Sequence, residues 1–67
     1  MDIDKLIKER RSLLGINQQN LADVSGVGLR TIKQIEVGKG NPSIKTLTTI
    51  LDVLGLELIV QIKNKSE

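Results

Sequence analysis

The chain contains no cysteine, no histidine and no aromatic residue, and it has one proline and one methionine. Without cysteine, neither a disulfide nor a thiolate metal site can brace the fold, and this usage fits a reducing cytoplasm. Without histidine, the commonest general base and metal ligand is gone. The carboxylates are dispersed along the chain with no pairing that suggests acid and base roles. These absences predict a protein that is not an enzyme and needs neither cofactor nor metal. No run approaches the ~20 apolar residues of a membrane span, and the N-terminus has neither the basic nor the apolar region of a signal peptide. The expectation is a soluble cytoplasmic protein with no membrane partner.

What is present is 67 residues, ten of them Lys or Arg and eight Asp or Glu, for a net charge of +2. That length has room for one domain spanning 1–67. A chain this short buries only about 60% of the surface of its unfolded form, so its own core should be marginal and a second copy or a partner would add to it. The net charge is too small to argue for nucleic acid, and placement matters more than total. Lys5, Lys8, Arg10 and Arg11 lie near the start and Lys63 and Lys65 at the tail, while Arg30, Lys33, Lys39 and Lys45 face one acid, Glu36, within their own span. A local basic surface is one reading of that span. Simple solubilisation by lysines is the other.

The segment Gln18 to Glu36, QQNLADVSGVGLRTIKQIE, reads as two short amphipathic helices joined by a tight Ser-Gly-Val turn. Two helices joined so closely need a small residue at their crossing and apolar residues beneath it. Ala22 supplies the first, and Gly26 permits a left-handed backbone in the turn. Leu21, Val27, Ile32 and Ile35 supply the apolar underside. With Ile32 and Ile35 facing inward, Leu29, Arg30, Lys33 and Gln34 fall towards the opposite side, where they can read a DNA groove. The pattern is that of a helix-turn-helix.

Around this motif the chain predicts four helices over about 3–14, 18–24, 28–37 and 43–54. Asp2 or Asp4 caps the first, in which Ile3, Leu6, Ile7, Leu13 and Leu14 give helical periodicity and Gly15 ends the run. Asn17 caps the second, Gly28 the third and Ser43 the fourth, and the breaker-rich GKGNP stretch from Gly38 to Pro42 is a loop. In the fourth helix Ile44, Leu47, Ile50, Leu51 and Leu54 form an apolar stripe. Ile7, Arg11 and Leu14 share a face at i, i+4, i+7, so Arg11 points partly inward, where an unpaired charge is costly. Glu36 is the expected partner in an ion pair joining the first and third helices. Two separately solvated charges are the alternative.

After Gly55 the run LELIVQIK, Leu56 to Lys63, is short, rich in β-branched residues and bounded by a glycine and a polar tail, the signature of a strand over about 56–63. Leu56, Leu58, Val60 and Ile62 would share one face, with Ile59 on the other. A lone strand leaves backbone donors and acceptors unpaired and exposes an apolar row, which invites pairing with the same strand of a second copy. A short fifth helix packed on its own chain is the competing reading.

From Leu6 to Leu56 the chain resembles the Cro and lambda-repressor type of helix-turn-helix domain, the XRE family. The matching stretches are L-G-I-N-Q-x-x-L-A at Leu14 to Ala22, G-V at Gly26 and Val27, I-x-x-I-E-x-G-K at Ile32 to Lys39, and N-P-S at Asn41 to Ser43. The fold class implied is mainly α, a four-helix Cro/C1-type domain with a C-terminal strand that pairs in a dimer. Within the family, ADVSGVGLRTIKQIEVGKG followed by LDVLGLELIVQI resembles the HipB-like antitoxins, whose C-terminal strand forms a dimer ribbon. The resemblance implies that Gln18 holds a backbone phosphate at a helix N-terminus. It implies that Leu29, Arg30, Lys33 and Gln34 face the major groove, that Thr31 and Lys39 touch phosphate, and that Arg11 and Glu36 pair.

Leu29 departs from the polar residue many relatives carry, so packing against its neighbours is an alternative role for it. The resemblance further implies a homodimer on an inverted-repeat operator in the bacterial cytoplasm, at the nucleoid, repressing its own operon. It also implies a HipA-like serine/threonine kinase toxin as partner, met by the exposed surfaces of the first and fourth helices or by the tail Asn64 to Glu67. A stand-alone phage-type repressor or restriction-modification controller would use the same groove-facing residues without a toxin. An interaction module that had lost DNA binding is a third class.

Overall fold

The computed structural model describes residues 2–63 and contains four helices among them: α1 (Ile3–Leu13), α2 (Gln18–Ser25), α3 (Leu29–Glu36) and α4 (Ile44–Val53). These are the helices the periodicity predicts, with the outermost residues reassigned. Leu14, Gly28, Val37, Ser43 and Leu54 are capping residues outside the helices, and Ser25 is drawn into α2. Caps are half in and half out of a helix, which is why sequence patterns misplace them by one residue.

Each start has a local cause, and the causes differ in strength. At α2 the Asn17 side chain accepts from the Asn20 amide at 2.7 Å while the Asn20 side chain accepts from the Asn17 amide at 3.1 Å. At α4 Ser43 Oγ accepts from the Thr46 amide at 3.1 Å. Of the two candidate caps for α1, Asp2 holds the position, yet its side chain makes no capping hydrogen bond. Asp4 lies in the first turn, where its charge complements the helix dipole.

The core is one cluster built from all four helices: Ile7 of α1, Leu21 and Ala22 of α2, Ile32 and Ile35 of α3, Ile50 and Leu51 of α4, and Leu54 just beyond it. Ile3, Ile16, Val27, Leu29, Leu47, Val53 and Leu56 pack around it. Three expected core members, Leu13, Leu14 and Ile44, stand outside. Leu13 is 76% exposed because it lies six residues from the buried Ile7, about 240° around the helix. Ile44 opens α4 at 70% exposure, so the apolar stripe begins at Leu47. Leu14 is likewise exposed, and the inward face of α1 continues through Arg10 and Arg11, both half-buried.

Arg10 Nε donates to the Leu54 carbonyl at 2.8 Å, which places a cation at the C-terminus of α4 and ties α1 to it. There α4 closes with the Gly55 amide on the Asp52 carbonyl at 3.1 Å and the Leu56 amide on the Leu51 carbonyl at 2.8 Å. Beyond Leu56 the chain to Lys63 has no regular structure and runs exposed, with Val60 at 89% and Ile62 at 97%. The expected strand is therefore absent among the described residues, and so is the fifth helix that competed with it. A strand is defined by a ladder, and the single chain offers no second edge. Asn64 to Glu67 lie outside the described residues.

Candidate nucleic-acid interface

The turn between α2 and α3 is built by small groups. Leu21 and Ala22 are buried at the crossing, and Gly26 takes φ 76°, with its amide donating to the Ala22 carbonyl at 2.9 Å. A side chain at that φ would be strained, so glycine is required by the backbone rather than by space. Ser25 Oγ accepts from the Val27 amide at 3.2 Å and fixes the exit from the turn. Gly28 then caps α3, whose first internal hydrogen bond runs from the Ile32 amide to the Gly28 carbonyl at 3.1 Å.

With Ile32, Ile35 and Glu36 buried, α3 presents Arg30, Lys33 and Gln34 to solvent on one face. Thr31 is half-buried at the flank, and Leu29 is half-buried and leans on the core, so packing is at least part of its role. Lys39 stands exposed in the loop after α3. That loop is bent back on the helix: the Lys39 and Gly40 amides donate to the Gln34 carbonyl at 2.9 and 3.0 Å. A β-carbon on Gly40 would come within 3.1 Å of the Ile35 backbone nitrogen, so the close return needs a residue without one.

The one acid of α3 is turned inward. Arg11 Nε donates to Glu36 Oε2 at 2.7 Å and Arg11 Nη2 to Glu36 Oε1 at 3.0 Å, while Nη1 reaches the Ile16 carbonyl at 2.9 Å. The Glu36 side chain is 2% exposed. Burial works against its charge, but hydrogen bonds from Arg11 and Gln18, with the charges of Arg11 and Lys8, hold its carboxyl below the usual glutamate range. The same hydrogen bond raises Arg11. Because Glu36 is buried and paired internally, the charged side chains on the surface of α3 and its loop, Arg30, Lys33 and Lys39, are all positive.

Gln18, expected at a phosphate, sits at the start of α2 with its Nε2 donating to Glu36 Oε1 at 3.0 Å. The structure thus brings Gln18, Glu36 and Arg11 into one network and sets Arg30, Lys33 and Gln34 together on the outer face. Sequence reasoning did not foresee the Gln18 to Glu36 bond, and nothing in the spacing signals it. It also missed Asn20 as the second half of the α2 cap, although the N-x-x-N pattern was there to find.

A short helix across a tight turn from a second, cation-bearing helix defines the class: a helix-turn-helix domain. The helix-turn-helix family model matches residues 7–60, and the chain belongs to that family, in its Cro/C1 form. Among its relatives, a prophage-derived HTH-type transcriptional regulator of Bacillus subtilis, YonR, is 36% identical over 75% of this chain and 46% of its own length. An HTH-type transcriptional regulator of Haemophilus influenzae is 43% identical over 82% of this chain and 59% of its own. Another from Methanothermobacter thermautotrophicus is 40% identical over 85% of this chain and 83% of its own. The chain therefore spans about half the length of the first two. These are the names of regulators rather than of catalysts. No helix of the described residues is long and apolar enough to cross a membrane.

Proposed function

We propose that the chain is a sequence-specific DNA-binding repressor of transcription that acts as a two-fold dimer. The observation that carries this reading is the outer face of α3, where Arg30, Lys33 and Gln34 are exposed together while the helix's acid is turned inward and paired. In the major groove Arg30 and Lys33 suit guanine O6 and N7 and Gln34 suits adenine N6 and N7. The exposed edge of Leu29 meets a thymine methyl. Gln18, Thr31 and Lys39 hold phosphates and fix the register.

The dimer in this reading is made by residues 56–63. Leu58, Val60 and Ile62 are exposed and recur at every second residue as one face of a strand requires, with exposed Ile59 on the other face, so pairing with the same segment of a second copy would satisfy backbone and side chains together. A two-fold ribbon sets two α3 helices on an inverted repeat with half-sites about one helical turn apart, and occupancy occludes the promoter. Such a protein works in the cytoplasm, at the nucleoid.

The test is binding to the DNA upstream of its own gene at two salt concentrations, with the mass in solution measured alongside. A dimer that binds specifically, and whose affinity falls steeply with salt, supports the reading. Arg30→Ala and Lys33→Ala should each weaken the complex by about 1–3 kcal/mol. If both variants bind like the parent, α3 is not the reading helix. Two finer forms share this surface. The HipB-like stretches support an antitoxin with a HipA-like kinase toxin, whereas the prophage-derived relative supports a stand-alone regulator. Co-purification with the product of the neighbouring gene separates them.

A further inference from the structure

Gln18 and Gln19 are neighbours at the start of α2 with opposite commitments. Gln19 Nε2 bonds locally to Asp23 Oδ1 at 2.9 Å, on the surface. Gln18 reaches across the fold to Glu36 at the end of α3, 18 residues away in sequence, and is itself half-buried. Its side chain therefore joins a buried carboxylate to the surface at the point where α2 begins.

We propose that Glu36 is a positioning residue for Gln18: pinned by Arg11, it fixes the Gln18 carboxamide with one N–H inward and leaves the other N–H to meet a DNA phosphate. The inference rests on the DNA-binding reading and deepens it. An ionised carboxylate only accepts hydrogen bonds, so it holds the amide nitrogen of Gln18 inward and cannot hold the carbonyl oxygen there. That choice of orientation matters, because a phosphate also only accepts and would be repelled by the Gln18 oxygen. Arg11 makes the arrangement tolerable next to DNA. Its fork takes both carboxylate oxygens, so the group behind Gln18 presents no net negative charge to the phosphate. A glutamine already held at one N–H also has less rotamer freedom to lose on binding.

The experiment uses a random-sequence duplex at low salt, since a phosphate contact does not depend on sequence, with the parent chain, Gln18→Ala, Glu36→Gln and the double variant. Gln18→Ala should weaken binding about tenfold, the effect of losing a hydrogen bond to a charged group. Glu36→Gln should weaken it in the same direction, and the double variant should bind no worse than Gln18→Ala alone. The slope of affinity against salt should stay unchanged in Gln18→Ala, because glutamine displaces no counterion, and should fall in Lys39→Ala.

Additive losses in the double variant would overturn the positioning role and leave DNA binding standing. No binding by the parent chain would overturn both. Should Glu36→Gln fail to fold, the side-chain amide of Gln18 in the parent decides: slowed hydrogen exchange relative to the exposed side-chain amide of Gln34 supports the proposal, and indistinguishable exchange overturns it.

Discussion

Residues 3–55 are the less apolar part in sequence, with 20 apolar residues of 53 against five of eight in residues 56–63, yet it is the less apolar part that closes on itself and the other that does not. In the first, eight apolar side chains form a buried cluster, and no buried side-chain nitrogen or oxygen of the described residues lacks a hydrogen-bond partner. In the second, Ile59, Val60 and Ile62 are exposed in a segment with no regular structure. The difference is one of period. Helical spacing lets a chain bury its own stripe against its own neighbours, whereas period-two alternation buries nothing until a second edge arrives. The helical body is self-sufficient for its buried hydrogen bonds, and the C-terminal segment leaves its apolar side chains exposed.

The first way to break that contrast is to damage the body from inside. Glu36→Ala leaves the Arg11 guanidinium without its carboxylate in a half-buried site, and breaking such a pair costs about 3–5 kcal/mol. In a domain this small that is a large share of the total stability, so thermal denaturation should show a fall in Tm of well over 10 °C or no cooperative transition at all. An unchanged midpoint would mean the body does not depend on its internal polar network. Acid should reach the same contact more gently. The Glu36 carboxyl titrates lower in the folded chain than in the unfolded one, so the pair's contribution is complete above the unfolded value near 4.5. It is lost as pH falls through the lower, folded value. Urea midpoints in the parent should therefore drop on acidification below about pH 4.5, and in Glu36→Gln this component of the drop should be missing.

Much of the body was legible in the chain itself. The i, i+4, i+7 spacing of Ile7, Arg11 and Leu14 pointed Arg11 inward, and the breakers at Gly15, Gly26 and Gly38 bounded the helices because each sits where the backbone turns left-handed. Leu13, Leu14 and Ile44 were misread as core, since periodicity counted from the nearest apolar residue does not reveal which turn of the helix has a neighbour above it. The Gln18 to Glu36 bond was beyond reach for a different reason: it depends on how closely the start of α2 approaches the end of α3, a distance set by the packed core and by no local spacing. On the outer face of α3, the outward set Arg30, Lys33 and Gln34 could be read from Ile32 and Ile35. The expectation of a strand at 56–63 rests on a pattern whose completion requires a second chain.

The second experiment therefore addresses the C-terminal segment. Val60→Lys places a charge in the middle of the exposed apolar run, where a paired ribbon would bury about 1.5–3 kcal/mol of apolar side chain. Sedimentation of the parent should give a dimer, and of Val60→Lys a dissociation constant raised at least tenfold. The stability of the helical body at low concentration should change by no more than about 0.5 kcal/mol, as for a surface site. A parent that sediments as a monomer at every concentration would remove the ribbon and leave the segment's exposure as a property of the single chain.

The smallest effect separates two helix starts within the body that look alike in sequence. Asn17 and Asp2 both occupy N-cap positions with extended backbone, and both residue types are good caps. The Asn17 side chain accepts from the Asn20 amide and the Asn17 amide donates to the Asn20 side chain, whereas the Asp2 side chain makes no capping hydrogen bond. Asn17→Ala should cost about 1 kcal/mol, and Asp2→Ala only the few tenths owed to a negative charge near the positive end of α1. The two variants also differ in their response to salt. The Asp2 effect is a charge acting on a dipole in solvent, so it should fade at high ionic strength, while the Asn17 effect is a neutral hydrogen bond and should persist. Equal losses that both fade with salt would show that position in the helix, and not the observed bond, determines what a cap contributes here.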